Sequence, residues 1–439
     1  MRLLAAVCLA LGLTPLFAAP ATEVKPKLTT DHATGVYAPG ETVSWTVVVP
    51  SDAGAPLPEF TYKITQDGLT LVSQGKLEVS GGTAKLTATR ADAGVLLAEI
   101  SEPGKPLPVA VGGAIYAPEK IKPAAPAPAD FVDFWKAKLA ELAKVPMNPV
   151  LEKTADTKNT PGIEYFKVTL DNIRGTKVRG QLARPAAGSG KYPAILTVQF
   201  AGVYALDQNV VVNDARNGWL ALNINAHDLP IDESADFYKN LKDGALKNYI
   251  YIGSEDRETS YFLRMFLACS RAVDYLASRP DWDGKTLLVT GGSQGGLQAF
   301  VAAGLNAKVT GVMAYVPAGC DNYATRAGRG FGWPYWVSNW GPRDRDLKKV
   351  ETTAGYFDGI NFAAMIRCPT LVAYGLNDTT SRPTGVAAAV NALQGPKEAL
   401  ILPLSDHHGS GGTQKPYFDR AAQWKKAAAA GGVLPPVAR

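Results

Sequence analysis

The stretch 286-TLLVTGGSQGGLQAF-300 decides how this chain is read. A hydrophobic run, Thr286–Thr290, enters Gly291-Gly292-Ser293-Gln294-Gly295, and a helical pattern begins at once. This is G-x-S-x-G in the strand–turn–helix setting that a nucleophile elbow requires. The serine must stand on a strained turn, and the glycines on either side leave room for neighbouring strands. The amide of Gln294 then faces the same side as the Ser293 hydroxyl, where the helix N-terminus favours developing negative charge. A phosphate-binding loop would need Lys-Ser/Thr after its glycines, but Gly296-Leu297 follow. The glycine spacing also misses G-x-G-x-x-G.

Outward from the elbow the pattern alternates in period. Strand-like runs occur at Tyr165–Leu170, Val178–Ala183, Ala194–Phe200, Leu220–Asn225, Val312–Val316, Leu371–Tyr374 and Ala399–Leu402. Helical stretches lie between most of them, notably Ser260–Ser278, Gly295–Gly304, Pro383–Leu393 and Pro416–Ala430. Several strands are continuous apolar runs, as expected when helices cover both faces of a largely parallel sheet. The predicted fold class is therefore α/β over residues 131–439. The helix 131-FVDFWKAKLAELAK-144 opens it, with Asp130 as its N-cap.

Residues 22–117 read differently. Val43, Trp45, Val47 and Val49 share one face of a strand, and further runs at Phe60–Ile64, Leu77–Val79, Ala84–Thr89 and Val95–Ile100 are separated by turn dipeptides. About seven short strands suggest an immunoglobulin-like β-sandwich with nothing catalytic in it. The Pro/Ala-rich 118-PEKIKPAAPAPAD-130 is predicted to be an extended, semi-rigid linker.

An elbow serine needs an acid and then a histidine later in the chain. In 369-PTLVAYGLNDTTSRP-383, Asp378 stands just beyond a strand end. In 399-ALILPLSDHHGSGG-412, two of the chain's four histidines follow another strand. Adjacent side chains in an extended loop diverge, so Asp406 is a poor partner for His407, and Asp378 is sterically more sensible. Adjacent histidines rarely chelate one metal together, and only His32 and His227 remain, so no metal site is expected. His227, in 223-NINAHDLP-230, follows a strand and is expected near the site mouth in a structural role.

The 439 residues carry a net charge of +5 without a Lys/Arg block, which leaves nucleic-acid binding unsupported. Residues 1–21 read as a removable leader: Arg2 is the positive end, Leu3–Leu13 the apolar core, and the small residues Ala18, Ala19 and Ala21 offer cleavage sites, with Ala19 and Ala21 as a −3/−1 pair. The expected location is periplasmic or extracellular, with no membrane span. Cys269, Cys320 and Cys368 lack CxxC spacing and are expected to be buried thiols.

From about Asp130 to Trp424 the chain resembles the acetyl xylan esterase / cephalosporin C deacetylase group, carbohydrate esterase family seven, within the α/β-hydrolase fold. The resemblance is carried by 130-DFVDFW-135, 198-VQFAG-202, 261-YFLRMFLACSRAVDYLASRP-280, 291-GGSQGG-296, 375-GLND-378 with Pro383, and 407-HHGSGG-412. It implies Ser293 as nucleophile, Asp378 as acid and His407 as base, with the amides of Gln294 and Val203 as oxyanion donors. It also implies an acetylated carbohydrate substrate, no cofactor, and a ring-like homo-oligomer that the extra sandwich could change. Two departures stand out. Val203 replaces a usual tyrosine, displaced to Tyr204, and Ser381-Arg382-Pro383 replaces Cys-Pro-Pro.

The aromatic stretch 329-RGFGWPYWVSNWG-341 suits a lid whose rings stack on sugars, with Trp333 and Trp336 as candidates beside Tyr204. Two alternative readings are a prolyl-oligopeptidase-like peptidase, for which the β-region is too short to form a propeller, and a non-catalytic glycan-binding protein on a hydrolase scaffold.

Overall fold

A computed structural model describes residues 25–50, 58–154, 160–186 and 190–431. The predicted leader lies outside the described residues.

Among the described residues the N-terminal region builds eight strands: β1 (Lys27–Thr30), β2 (Val36–Tyr37), β3 (Thr42–Val48), β4 (Thr61–Gln66), β5 (Thr70–Lys76), β6 (Thr83–Thr89), β7 (Gly94–Ser101) and β8 (Ala110–Tyr116). A three-stranded sheet, β1-β3-β6, faces a five-stranded one, β2-β8-β7-β4-β5. Period-two alternation explains the packing: Val43, Trp45 and Val47 point inward from β3 and meet Leu96, Ala98, Ile100 and Ala114 of the facing sheet. Strand β5 was not anticipated, because its residues are mostly exposed and lack an apolar face. The run Leu77–Val79, expected as a strand, is instead irregular backbone after β5.

The linker is pinned along its length. Asn391 Nδ2 donates to the carbonyls of Pro118 at 2.8 Å and Ile121 at 2.9 Å. The Ala124 amide donates to Asp321 Oδ1, and Arg329 Nη2 donates to the Lys122 carbonyl. Asp130 stands at the N-cap of helix Phe131–Ala143 without a capping hydrogen bond. Its carboxylate is taken by Arg257 and the Tyr356 hydroxyl, stronger partners than a helix amide.

The remaining strands form one sheet: β9 (Val150–Lys153), β10 (Ile163–Asp171), β11 (Lys177–Pro185), β12 (Tyr192–Thr197), β13 (Leu220–Ile224), β14 (Trp282–Gly292), β15 (Gly311–Tyr315), β16 (Thr370–Gly375) and β17 (Lys397–Leu402). Their order is β17-β16-β15-β14-β12-β13-β11-β10-β9. The six strands from β13 to β17 in this order are parallel, and β11, β10 and β9 add an antiparallel edge. Alternate residues supply the two faces. Ile195, Leu288, Met313 and Leu371 pack under helices Asn209–Arg216 and Lys415–Ala429. Leu196, Val289, Val312 and Val372 pack under Tyr261–Ser278, Gln294–Leu305 and Pro383–Ala392. Burial on both faces is why these strands read as unbroken apolar runs.

The strand order reverses beside β12, since β13 lies on one side of it and β14 on the other. Such a switch point opens a crevice at the carboxyl ends of the strands. The segment after β12 and the turn after β14 both reach that crevice. The sandwich docks nearby: the Gly113 amide donates to Asn377 Oδ1 at 2.8 Å, and the Gly330 amide donates to the Asp67 carbonyl at 2.9 Å.

Candidate active site

Ser293 sits between β14 and helix Gln294–Leu305 with φ 57° and ψ −122°, a region that a side chain occupies only when its surroundings force it. Here they do. Its amide donates to the Tyr315 carbonyl at 3.0 Å, and its carbonyl accepts from Leu297 and Ala318 at 3.1 and 3.0 Å. The flanking glycines are dictated by close approach. A Cβ on Gly291 would lie 2.5 Å from the Gly295 carbonyl oxygen, and one on Gly295 would lie 2.6 Å from that of Val198. Any larger residue at either position would open the turn.

Asp378 follows β16 and His407 follows β17, neighbouring parallel strands whose ends project to the same side as Ser293. His407 Nδ1 lies 2.8 Å from Asp378 Oδ2, and Nε2 lies 2.9 Å from Ser293 Oγ. Because a carboxylate only accepts, Nδ1 carries the proton and Nε2 accepts from the serine hydroxyl. Asp378 is fully buried, and its other oxygen accepts the amides of Thr380 and Ser381 at 2.8 and 2.7 Å. Ser381 Oγ in turn donates to the Val316 carbonyl. The acid loop is thus held from within.

Asp406 serves the turn. It accepts from the His408 and Ser410 amides and from Ser410 Oγ. Burial opposes its ionisation, yet these bonds hold its carboxyl below the ordinary range. Gln414 Nε2 donates to the His407 carbonyl at 3.1 Å, steadying the loop from the start of the last helix. His408 is exposed, with its ring edge-on to His407.

Val203 is buried in the segment after β12, and Gln294 is fully buried at the start of its helix. Among the described residues the backbone amides of both lack a backbone acceptor. For Gln294 this is the ordinary state of a helix N-terminus. The two elements are fastened together, because Gln298 Nε2 donates to the Gln199 carbonyl at 2.8 Å.

Among the aromatic candidates the fold separates three cases. Tyr204 stacks on Phe200 at 4.7 Å and donates to its carbonyl, so its hydroxyl is committed locally. Trp333 is partly buried and stacks on Phe262. Trp336 is 1% exposed, donates its indole N–H to the Ile250 carbonyl and packs on Phe262 and Phe357. It has no free face for a sugar, which corrects the expectation placed on it. The exposed tryptophan of this stretch is Trp340, beside Tyr335. The departure at Arg382 has a structural counterpart: this partly buried side chain fills the space against Gly68 of the sandwich.

A cavity of about 480 Å³ opens between helices Asn209–Arg216 and Lys415–Ala429, with Gly291, Gly292, Tyr315 and Phe418 in its wall. Ser293, Asp378 and His407 do not line it, so it lies behind the elbow and apart from the chemistry. His227 is likewise buried near the elbow, against the Gly202 carbonyl. Its partners Tyr249 and Tyr261 had no local sequence signal, since they lie in a turn and at a helix start far along the chain. Among the described residues no group of three or more His, Cys, Asp or Glu could hold a metal, and no helix is long and apolar enough to cross a membrane. Cys269, Cys320 and Cys368 are free.

The acetyl xylan esterase (AXE1) family model matches residues 117–427. Acetyl esterase Axe7A of Xylanibacter ruminicola is 33% identical over 357 residues, covering 80% of this chain and 79% of that protein. The acetyl xylan esterase from Paenibacillus sp. R4 superposes with a TM-score of 0.59 at 27% identity, over 69% of this chain and 96% of that one. Acetyl xylan esterase 1 from Thermoanaerobacterium sp. JW/SL YS485 gives the same TM-score at 22% identity, over 70% of this chain and 96% of that one, a likeness of fold. A mostly parallel sheet, a serine on a strained strand-to-helix turn and a family match over residues 117–427 lead to one conclusion: this chain belongs to the acetyl xylan esterase family and is a carboxylic-ester hydrolase of the α/β-hydrolase fold.

Proposed function

We propose that this chain is an exported serine esterase that removes acetyl groups from acetylated xylan, xylo-oligosaccharides or related sugars. The observation that carries the reading is His407, bridging Asp378 at 2.8 Å and Ser293 at 2.9 Å. His407 Nε2 takes the Ser293 proton as Oγ attacks the acetyl carbonyl carbon. The carbonyl oxygen becomes an oxyanion, held by the amides of Gln294 and Val203. Collapse breaks the ester C–O bond, and the imidazolium returns its proton to the departing sugar oxygen. Water, deprotonated by the same imidazole, then hydrolyses the acetyl-enzyme to acetate and free serine. Asp378 holds the tautomer and stabilises the imidazolium.

The specificity for acetyl esters of sugars is supported by the family and by the names of the related esterases. Export is supported by Arg2, the apolar Leu3–Leu13 and the small residues Ala19 and Ala21. Assembly into a homo-oligomer belongs to the same proposal and is read by light scattering.

The test is acetate release from acetylated xylan and hydrolysis of p-nitrophenyl acetate by wild type and Ser293→Ala. Turnover of both substrates by wild type alone is the expected result. A folded wild type inert toward both would end the esterase reading, and cleavage of prolyl peptides without acetate release would favour a peptidase.

A further inference from the structure

Gly202 precedes Val203, and its φ of 133° is a conformation open essentially to glycine. Such a residue does not hold its own peptide in place, since glycine rotates more freely than any other residue. The following peptide unit contains the Gly202 carbonyl and the Val203 amide. Both belong to one planar trans group, so they point in opposite directions. Whatever grips the carbonyl therefore aims the amide.

The grip is His227. Its Nε2 lies 2.9 Å from the Gly202 carbonyl oxygen, and its Nδ1 lies 2.6 Å from the Tyr261 hydroxyl. A carbonyl oxygen only accepts, so Nε2 carries the hydrogen, and in the neutral ring Nδ1 accepts from Tyr261. His227 is 2% exposed, and burial, with Arg264 adding to it, pushes its pKa down to about 4, which keeps the ring neutral. Its own amide donates to Asn225 Oδ1 at 2.9 Å, fixing the ring's origin at the end of β13. Tyr249 stands edge-on to the imidazole at 4.7 Å and donates its hydroxyl to Gln294 Oε1 at 2.5 Å. One aromatic cluster thus touches both elements that supply the amides.

We infer that His227 is a positioning residue for this esterase: it donates from Nε2 to the Gly202 carbonyl and so locks the Val203 amide toward the oxyanion. The inference rests on the reading of Val203 as an oxyanion donor. His227 touches neither the substrate nor the reacting atoms and moves no proton during turnover. Its tautomer is set by Tyr261, and its effect is realised only when charge develops on the substrate oxygen.

The experiment measures kcat and KM on p-nitrophenyl acetate, and inhibition by phenylboronic acid, which forms a tetrahedral adduct on an active serine. His227→Phe keeps a ring and removes the donor. Its kcat is expected to fall by about 10–100-fold, below the loss from deleting a donor outright, with KM changed by less than about threefold. Boronate affinity should weaken together with kcat/KM. His227→Gln can return an N–H near the Nε2 position and should recover kcat to within about fivefold of wild type. Wild-type kcat in a folded His227→Phe, or a loss confined to KM, would overturn the inference. If His227→Phe does not fold, Tyr261→Phe removes only the hydroxyl, and a severalfold lower kcat is expected; an unchanged kcat there overturns the inference equally. A wild type inactive on acetyl esters would instead overturn the esterase reading, and this inference with it.

Discussion

Two loops flank Ser293, each with a histidine, and they place those rings in opposite electrostatic settings. His407 retains 14% side-chain exposure and faces a buried carboxylate at 2.8 Å. His227 is 2% exposed and faces a carbonyl and a phenol, with Arg264 as the nearby charge. With Asp378 at Nδ1 and Ser293 at Nε2, His407 is placed for the proton transfers of the proposed mechanism. A neutral, desolvated pocket makes an imidazolium costly, so His227 is suited to remain a fixed donor. The two settings thus match the proposed roles, an acid–base at His407 and a fixed donor at His227. What separates them is the partner at Nδ1.

The largest expected effect comes from removing the proposed nucleophile or its base. Ser293→Ala and His407→Ala should each lower kcat by on the order of 10⁴-fold or more, and the double variant should be little worse than either, because the groups act as a unit. Steady-state hydrolysis of p-nitrophenyl acetate checks this, and additive losses would mean that the two residues act separately. Asp378→Asn keeps the shape but offers an amide to Nδ1. It should cost on the order of 10³–10⁴-fold in kcat with little change in KM.

The other flank gives a stability signature. With a folded pKa of about 4, below the ordinary 6.5, His227 binds a proton in the unfolded chain before it does in the folded one. Its contribution is therefore complete above pH 6.5 and is lost as pH falls toward 4. Between pH 7 and pH 5 this amounts to about 2 kcal/mol. Urea denaturation at both values should show that wild type loses this increment and His227→Phe does not. Equal losses would mean that the ring is protonated in the fold.

Smaller effects test the supports. Asn377→Ala deletes the acceptor for the Gly113 amide of the sandwich, next to Asp378. A drop in kcat of roughly 3–10-fold is expected, as the acid shifts slightly. A wild-type rate would show that the sandwich leaves the acid's position alone. His408→Ala removes an exposed ring and should leave kcat within about threefold of wild type. A collapse there would transfer the base role to His408.

The strand–turn–helix at Thr286–Phe300 was legible because its signal is local: an apolar run, glycines at close approach and an immediate helical period. The α/β class was legible for the same reason, since strands covered on both faces read as apolar runs. The antiparallel edge was less so. Strand β9 is exposed along its whole length and carries no period-two signal. Trp336 misled for a related reason: an aromatic in a loop-like stretch looks the same in sequence whether it faces a sugar or the core. Only packing against Phe262 and Phe357 assigns it.

The strand–turn–helix around Ser293, the chain order Ser293, Asp378, His407 and the family were all legible in the residues alone. Which groups meet was decided by the tertiary structure. His407 lies 114 positions from Ser293 and 29 from Asp378. Those distances close only because β14, β15, β16 and β17 run parallel and end on one side of the sheet. His227 is the clearest case. Nothing in 223-NINAHDLP-230 names its partners, because Gly202 and Tyr261 reach it from separate elements, and a hydrogen bond between distant segments leaves no local pattern in either.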